Sequence, residues 1–364
     1  MAIILRLGLN RDITYQITDR GSDHMKLLNG INFGGYLSQC HHNAAHYDAF
    51  IHEDDVVNVA EWGFDHIRIP IDYEVLEDES GEAKAENDHY IDRFIDWCQK
   101  QHLNVVLDLH KAYGYDFNDA GNSERNNLFT SERLRQRFIR LWIRLAKSYG
   151  QFDGIAFELL NEVVEENNAE LWNELIEETV KVIRIYAPTV PIIYGGIQWN
   201  SAKTLKLLRK PEDPNIIYTF HLYEPLLFTH QKAHWVPNMI MDKDIDYPKD
   251  MSYFKEESQR LGDKGKDVVD SDCTEMGIPF IEEMVREAVE AAENAGARLY
   301  CGEFGVIDRA PVRDTLRWFK DVLHVFRKYD IGSAVWSYRE MDFGISDSHY
   351  DPIRDSLLEL LTQK

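Results

Sequence analysis

Short apolar runs alternate with amphipathic segments along most of the chain. Eight runs are rich in the β-branched and aromatic residues that strands favour, and each predicts a strand. These runs cover residues 27–35, 64–70, 104–110, 154–161, 190–196, 215–223, 297–304 and 332–338. Apolar residues at helical spacing predict helices at 54–63, 90–101, 131–150, 169–187, 201–210, 279–296, 310–330 and 355–361.

Strands that alternate with helices in this way are typical of a parallel sheet, because each parallel connection needs a crossover. Eight strands in a chain of 364 residues predict an α/β fold of the (β/α)8 TIM barrel type. A doubly wound open sheet is the alternative. It is disfavoured because no GxGxxG or GxxxxGK[ST] turn follows the first strand.

The chain is longer than the ~250 residues typical of such a barrel. We therefore expect an N-terminal extension, residues 1–26, followed by a single catalytic barrel, residues 27–364. The connection after strand six, residues 224–277, is too long for an ordinary loop. We expect it to form a small subdomain over the mouth of the barrel.

The net charge of the chain limits the classes of molecule that it is expected to bind. The chain has 63 acidic and 40 basic residues, for a formal net charge of −23. A surface this acidic repels phosphate backbones and anionic lipids, so nucleic-acid and membrane partners are disfavoured. Aromatic residues make up 12% of the chain, and such rings suit stacking on uncharged sugars.

The cysteines and the first residues bear on the cellular compartment. The four cysteines form no CxxC pair, and the start of the chain lacks the features of a secretory signal. We expect a cytoplasmic monomer, with secretion by another route left open.

Polar side chains cluster where the predicted strands end. In a barrel of this type, chemistry takes place at the carboxyl ends of the strands. Burying so many charged and polar groups for stability alone would be costly, so a functional cluster is the simpler interpretation. The candidate residues are Arg68, His110, Asn161, Glu162, His221, Tyr223, Glu303 and Trp336.

Two glutamates that face each other across a pocket indicate acid–base chemistry on a glycosidic bond. Arg68 and the Tyr223 hydroxyl favour the charged form of Glu303, which makes it the candidate nucleophile. Glu162 has no cation near it in the pattern, so we expect a higher pKa and a role as general acid/base. A retaining mechanism then requires the two carboxyl groups to lie ~5–5.5 Å apart.

Two tryptophans and a histidine cluster are weaker candidates. Trp199 follows strand five and Trp235 lies in the insertion, and each is interpreted as either a sugar platform or a packing residue. His42 and His46 have the i, i+4 spacing of metal ligands on a helix, but a polar loop at the pocket rim is the favoured interpretation. No metal and no cofactor is predicted.

The strand motifs FDHIRIP, DLH, FELLNE, HLY, CGEFG and AVWSY, in this order, resemble glycoside hydrolase family 5, the cellulase family. The resemblance runs from Leu27 to the end of the chain. It implies that Glu162 is the acid/base and Glu303 the nucleophile. It also implies that Asn161 contacts the 2-hydroxyl of the sugar at subsite −1 and that Trp336 stacks under that sugar. Arg68 and Tyr223 hold the nucleophile in this family, and His110 and His221 line the same subsite.

The resemblance implies a retaining endo-β-1,4-glucanase that acts on β-1,4 and mixed-linkage β-1,3-1,4 glucans and cello-oligosaccharides. A β-mannanase, a glucomannanase or another β-glycanase of the family is the alternative, because the catalytic set does not distinguish these substrates. A carbohydrate-binding protein without turnover is a third possibility, and the complete catalytic set argues against it.

Overall fold

Eight parallel strands close into a barrel in the computed structural model, which describes residues 25–363. The strands are β1 (Asn29–Asn32), β2 (His66–Asp72), β3 (Asn104–Lys111), β4 (Ile155–Glu158), β5 (Ile192–Gly195), β6 (Ile216–Leu222), β7 (Arg298–Phe304) and β8 (Gly332–Val335). Each strand pairs with the next, and β8 closes on β1 with Ala334 opposite Gly30. The predicted barrel is confirmed, and the open sheet is excluded.

Helices connect and surround the strands. The α-helices of the described residues are α1 (Ala44–Ala49), α2 (Glu53–Glu61), α3 (Tyr73–Leu76), α4 (Asp88–Lys100), α5 (Glu132–Tyr149), α6 (Ala169–Tyr186), α7 (Leu226–Thr229), α8 (Met251–Ser258), α9 (Lys266–Val269), α10 (Ile278–Ala295), α11 (Val312–Lys328) and α12 (Arg354–Thr362). Short 3₁₀ helices cover Ala85–Asn87, Phe117–Asp119, Glu166–Asn168, Ala202–Leu207, Gln259–Gly265 and Ser348–Tyr350.

One helix prediction is wrong. The segment 201–210 forms only the 3₁₀ helix Ala202–Leu207 and no α-helix. The hydroxyl of Thr204 donates to the carbonyls of Ile197 and Ser201 and accepts from the Ile197 amide. A threonine side chain that bonds nearby backbone groups competes with regular helical bonding, and here it holds the segment tightly against β5.

Helix α5 illustrates how the sequence builds the outer layer. Leu134, Phe138 and Trp142 recur at helical spacing and are buried against the sheet. The indole nitrogen of Trp142 donates to the carbonyl of Leu159 at 3.1 Å. This bond anchors the helix to the segment that follows β4, where Asn161 and Glu162 lie.

The barrel interior has an apolar floor and a polar layer above it. The floor consists of the buried residues Leu27, Val106, Ala156, Ile193, Ile217, Tyr300 and Ala334. Alternate residues of a strand share one face, so Asp108 and His110 follow Val106 on the inner face of β3. Glu158 follows Ala156 in the same way on β4. The polar layer is therefore set by the two-residue period of the strands.

The connection between β6 and β7 contains α7, α8, the 3₁₀ helix Gln259–Gly265 and α9. Phe228 and Tyr247 are buried within it, with ring centroids 5.1 Å apart. The backbone amide of Tyr247 donates to Asp314 and its hydroxyl donates to Asp321, both on α11. The connection thus has a small apolar core of its own and docks on the outside of the barrel.

Most of the predicted N-terminal extension lies outside the described residues. Its last two residues, Met25 and Lys26, already contact the barrel, since their carbonyls accept hydrogen bonds from Arg298 and Asn104. Among residues 25–363, no helix combines the length and apolar character needed to cross a membrane.

Candidate active site

Arg68 organises the polar layer of the barrel. The motif predicts it at the end of strand two, but it is the third of seven residues in β2 and is fully buried. Its guanidinium pairs with both carboxylate oxygens of Glu158, at 2.8 and 2.9 Å. It also lies 2.9 Å from Glu303 and 3.0 Å from Asp108. One cation therefore faces three buried carboxyl groups, which leaves an excess of negative charge for other donors and protons to offset.

The two candidate catalytic glutamates approach each other above Arg68. Glu162 lies four residues beyond the end of β4, and Glu303 is the penultimate residue of β7. One oxygen of each carboxylate and one ring nitrogen of His221 lie within 4.8 Å of one another. This upper limit is well short of the ~6.5–9.5 Å of inverting glycosidases, so the arrangement favours the retaining class, whose carboxyl groups lie ~5–5.5 Å apart.

Glu162 has a left-handed backbone with φ of 40°, which is uncommon for a residue with a side chain. The Tyr115 hydroxyl holds the turn, because it donates to the carbonyl of Glu162 and accepts from the amide of Val164 at 2.7 Å. A strained conformation that is held by hydrogen bonds in this way is typical of a functional site.

His221 and Tyr223 lie between and beside the glutamates. His221 Nδ1 is 2.8 Å from a Glu162 oxygen and 3.6 Å from a Glu303 oxygen. On the other side of the ring, the Asn200 amide lies 3.4 Å from Nε2, which places the ring proton on Nδ1, facing Glu162. The Tyr223 hydroxyl donates to Glu303 at 3.0 Å.

The pKa values do not separate the two glutamates as the sequence predicts. Burial raises the pKa of Glu162 to about 7, against the opposing effects of Arg68 and Lys264. Burial likewise raises the pKa of Glu303 to about 7, against His221 and Arg68. The expectation that no cation lies near Glu162 is wrong, because the charges of Arg68 and Lys264 both lower its pKa. Lys264 comes from a distant part of the sequence, so the local pattern did not reveal it. The glutamates differ instead in their hydrogen-bond donors.

Those donors favour ionisation of Glu303 over that of Glu162. Glu303 accepts bonds from the guanidinium of Arg68 and the hydroxyl of Tyr223. Glu162 accepts from His221, and burial lowers the pKa of that imidazole to about 4, so the ring is neutral near pH 7. A charged donor stabilises a carboxylate more strongly than a neutral one does.

We expect Glu162→Gln to stabilise the fold by roughly 1–3 kcal/mol at pH 8 and to have little effect at pH 4.5. The pKa of Glu162 is raised from 4.5 to about 7, so the folded protein binds a proton there that the unfolded chain has lost. The associated stability is present below pH 4.5 and is lost as pH rises through about 7. Urea unfolding at both pH values measures the difference. Equal stabilisation at the two pH values would contradict this electrostatic explanation.

Three more predicted residues belong to the same buried cluster. His110 Nδ1 donates to Asp108 at 2.7 Å, and its ring is nearly parallel to that of Trp336, with centroids 5.9 Å apart. Trp336 directly follows β8 rather than ending it. The Oδ1 atom of Asn161 accepts from Arg68, whereas its buried Nδ2 has no partner among the described residues. That amide is available to a ligand.

Trp199 and Trp235 lie outside the buried cluster, and the two residues are 40% and 43% exposed. Trp235 connects to the site through His230, whose ring is 6.5 Å from it and 4.9 Å from the Tyr223 ring. Trp199 directly precedes Asn200, the partner of His221. Each tryptophan is therefore linked to the glutamates through a chain of neighbouring residues, and each is open to solvent.

Several residues of the site were missed by sequence reasoning. Asp108 and Glu158 pair with Arg68, and Asn32 accepts from it at 3.0 Å. Gln39 donates to His110 Nε2 at 3.0 Å. The signal for Asp108 and Glu158 was present, because each is a charged residue inside an otherwise apolar strand and on its inner face.

Two sets of side chains in the described residues bring potential metal ligands together. One is Glu162, His221 and Glu303, and the other is His42, Asp72 and Glu74. In the second set, Lys111 lies 3.8 Å from Asp72, where its ammonium competes with a cation. His46 instead bonds the carbonyl of Gly35 at 2.7 Å, so His42 and His46 do not act as a pair.

Comparison with known proteins agrees with this geometry. The family model described as Cellulase (glycosyl hydrolase family 5) matches residues 29–342. Endoglucanase C of Acetivibrio thermocellus is 39% identical over 92% of this chain and 98% of its own length. Cellodextrinase A of Ruminococcus flavefaciens is 38% identical over 84% of this chain and 83% of its own length.

Solved structures give the same assignment. Cel5A of Thermotoga maritima, in complex with cellobiose, is 25% identical, with a TM-score of 0.69 over 92% of this chain and 97% of that one. The cellulose synthase subunit Z of Clostridioides difficile is 26% identical, with a TM-score of 0.70 over 93% of this chain and 100% of that one. The chain is a glycoside hydrolase and belongs to family 5, the cellulase family.

Proposed function

We propose that this chain is a retaining endo-β-1,4-glucanase that hydrolyses β-1,4 and mixed-linkage β-1,3-1,4 glucans and cello-oligosaccharides. The observation that carries the proposal is the approach of the Glu162 and Glu303 carboxylates to within 4.8 Å. The relatives named endoglucanase C and cellodextrinase A support the choice of glucan substrates.

In the first step, Glu162 donates its proton to the glycosidic oxygen while Glu303 attacks the anomeric carbon from the opposite face. The bond to the leaving sugar breaks, and a covalent glycosyl-enzyme forms. In the second step, Glu162 takes a proton from water, the water oxygen bonds to the anomeric carbon, and Glu303 is released. Arg68 and Tyr223 favour Glu303 as nucleophile because both donate to its carboxylate.

The other residues position the sugar at the cleavage point. The free Nδ2 of Asn161 donates to the 2-hydroxyl, a contact that strengthens as charge develops at the neighbouring carbon. Trp336 forms an apolar floor for the ring, and His110 and His221 line its sides. No metal or organic cofactor takes part in these steps.

We further infer that residues 27–364 act as one catalytic domain and that residues 224–277 form a cap beside the cleft. Trp235 belongs to this cap and serves as a sugar platform away from the cleavage point. The packed rings of Phe228 and Tyr247 support this inference, because they give the segment a core of its own.

We expect Trp235→Ala to raise KM for cellohexaose about 2- to 10-fold with kcat nearly unchanged, because stacking is worth ~0.5–1.5 kcal/mol. Initial-rate kinetics separate the two parameters. Tyr329→Ala removes an exposed ring before β8, at the opposite end of the barrel, and serves as the matched control. Equal effects of the two substitutions would contradict a substrate contact for Trp235.

A panel of substrates tests the proposed function. Carboxymethyl cellulose, barley β-glucan, glucomannan, galactomannan, xyloglucan, laminarin and cellohexaose are compared with Glu303→Gln as the blank. The proposal predicts the highest rates on the first two and little activity on galactomannan. A maximum on galactomannan would favour a mannanase, the candidate supported by the solved complex of Thermotoga maritima Cel5A with mannotriose. Activity on none of them would contradict the enzyme assignment.

A further inference from the structure

Different donors hold the two oxygens of the Glu303 carboxylate. Arg68 donates to Oε1 at 2.9 Å, and the Tyr223 hydroxyl donates to Oε2 at 3.0 Å. His221 Nδ1 lies 3.6 Å from Oε2, but its proton faces Glu162 at 2.8 Å. Because Arg68 is fully buried within β2, the rotation of the carboxylate depends on where the Tyr223 hydroxyl lies.

The Tyr223 ring packs against two other aromatic rings. His230 meets it almost at right angles, with ring centroids 4.9 Å apart and an interplanar angle of 81°. Phe343 meets it at 65°, with centroids 5.9 Å apart. His230 and Phe343 also contact each other, with centroids 5.3 Å apart. Edge-to-face contacts are directional, so these three rings restrict one another's orientation.

Hydrogen bonds through Thr229 join His230 back to Tyr223. The Thr229 hydroxyl donates to the carbonyl of Tyr223, and its oxygen lies 3.1 Å from His230 Nδ1. A hydroxyl has a single proton, so the imidazole donates in the second bond, which fixes the ring. The carbonyl of Thr229 accepts from the amide of Ile307 at 2.9 Å. The end of α7 is thereby joined to the segment that follows β7, the strand that carries Glu303.

The segment after β8 holds Phe343 in place. Residues 340–342, directly before it, have φ of 54°, 53° and 63°, three consecutive left-handed residues without a glycine. Such strain persists only where surrounding contacts enforce it, and it marks functional positions. The carbonyl of Phe343 accepts from the amide of Ser337 at 3.3 Å. Phe343 is 4% exposed and gives the other two rings a rigid surface to pack against.

We propose that His230 is a positioning residue for the nucleophile, supplied by the connection between β6 and β7. It holds the Tyr223 ring, and the Tyr223 hydroxyl then holds the Glu303 carboxylate in the orientation for attack. This inference rests on the proposed function. A carboxylate that is turned away from the anomeric carbon attacks more slowly even when the sugar is bound equally well. The effect of His230 therefore falls on the rate of attack and not on binding.

The test measures the attack step alone, with 2,4-dinitrophenyl 2-deoxy-2-fluoro-β-cellobioside as the reagent. An oxygen of Glu303 bonds to the anomeric carbon, and dinitrophenolate departs with the electron pair of the broken bond, so no proton is needed. The fluorine slows the second displacement, and the ester accumulates. Mass spectrometry of the intact protein follows the ester. The dependence on reagent concentration separates the rate constant for attack from the dissociation constant of the reagent.

His230→Ala should lower the rate constant for attack about 3- to 10-fold, the size expected for loss of an edge-to-face contact, with the dissociation constant nearly unchanged. His230→Phe keeps an aromatic edge against Tyr223 and should restore the rate constant to within about 2-fold of wild type. His230→Leu replaces His230→Ala if circular dichroism shows that the alanine variant is poorly folded.

His89→Ala is the matched control. It removes an exposed histidine ring of α4 that packs on the Tyr90 ring, with centroids 3.9 Å apart. Because this pair lies in the outer helical layer, both constants should stay at their wild-type values.

A double-mutant cycle shows whether the effect passes through Tyr223. Tyr223→Phe keeps the ring and removes the hydroxyl that holds Glu303. Adding His230→Ala should then lower the rate constant by less than about 2-fold further, because no hydroxyl is left to position. An equal loss with and without the hydroxyl would overturn the proposal, since His230 would then act on the fold as a whole.

The outcomes separate this inference from the proposed function. A wild-type rate constant in folded His230→Ala would overturn the role of His230 and leave the glucanase proposal standing. A weaker dissociation constant at an unchanged rate constant would also overturn it, because His230 would then contact the sugar itself. If wild type neither hydrolysed β-glucan nor formed the ester, the proposed function would be overturned, and this inference with it.

Discussion

Glu303→Gln is expected to lower kcat on barley β-glucan by at least about 10⁴-fold, because no covalent intermediate can form without the carboxylate. The fold should be retained, since an amide fills the same volume, its oxygen still accepts from Arg68, and its NH2 group can donate to the hydroxyl oxygen of Tyr223. Initial rates on soluble substrate, with urea unfolding as the check on folding, measure both expectations.

The matched control is Glu162→Gln, which removes the acid rather than the nucleophile. General acid catalysis contributes about 10²–10⁴-fold to the rate, so the decrease in kcat should be large on cellohexaose. It should be much smaller on an aryl cellobioside whose leaving group needs no proton. If Glu303→Gln showed the same rescue by a good leaving group, the two roles would have to be exchanged.

Arg68→Met is expected to destabilise the protein by about 3–5 kcal/mol at pH 7 and to reduce activity severely. Removing one partner of a buried ion pair leaves the others uncompensated, and Arg68 has three. Glu158 loses both of its bonds to the guanidinium, and Glu303 loses its charged donor. The shift of the urea midpoint, at unchanged slope, measures the loss.

Two further variants make this result interpretable. Arg125→Met breaks an exposed pair with Asp119 and should change stability by less than about 0.5 kcal/mol. Arg68→Lys keeps the charge but not the bidentate geometry of the guanidinium. Its free energy of unfolding should therefore lie between those of wild type and Arg68→Met. Should Arg68→Met prove as stable as Arg125→Met, the buried network would not hold the site together.

The fold and the centre of the site could both be predicted from the sequence. Strands buried on both faces leave long apolar runs, and all eight runs correspond to strands in the structure. The polar residues that interrupt or end those runs converge on one rim, because parallel strands all end on the same side. Glu162 and Glu303 meet there although they lie 141 positions apart in the sequence, the difference between 303 and 162.

What could not be predicted depends on contacts between distant segments. The short 3₁₀ helix around Thr204 arises from one hydroxyl that bonds three backbone groups, which no hydrophobic pattern records. Lys264 approaches Trp199 only because the connection between β6 and β7 brings the 3₁₀ helix Gln259–Gly265 next to the segment that follows β5. For the same reason the lowering effect of Lys264 on the pKa of Glu162 could not be predicted from neighbouring residues alone.

The most direct test of the central claim is the anomeric configuration of the first product. Cellohexaose is hydrolysed in the NMR tube, and the anomeric protons are followed before mutarotation equilibrates them. Two displacements through a Glu303 ester predict that the β-anomer appears first and that the α-anomer grows in later. Initial release of the α-anomer would show a single displacement by water and would contradict the roles proposed for Glu162 and Glu303.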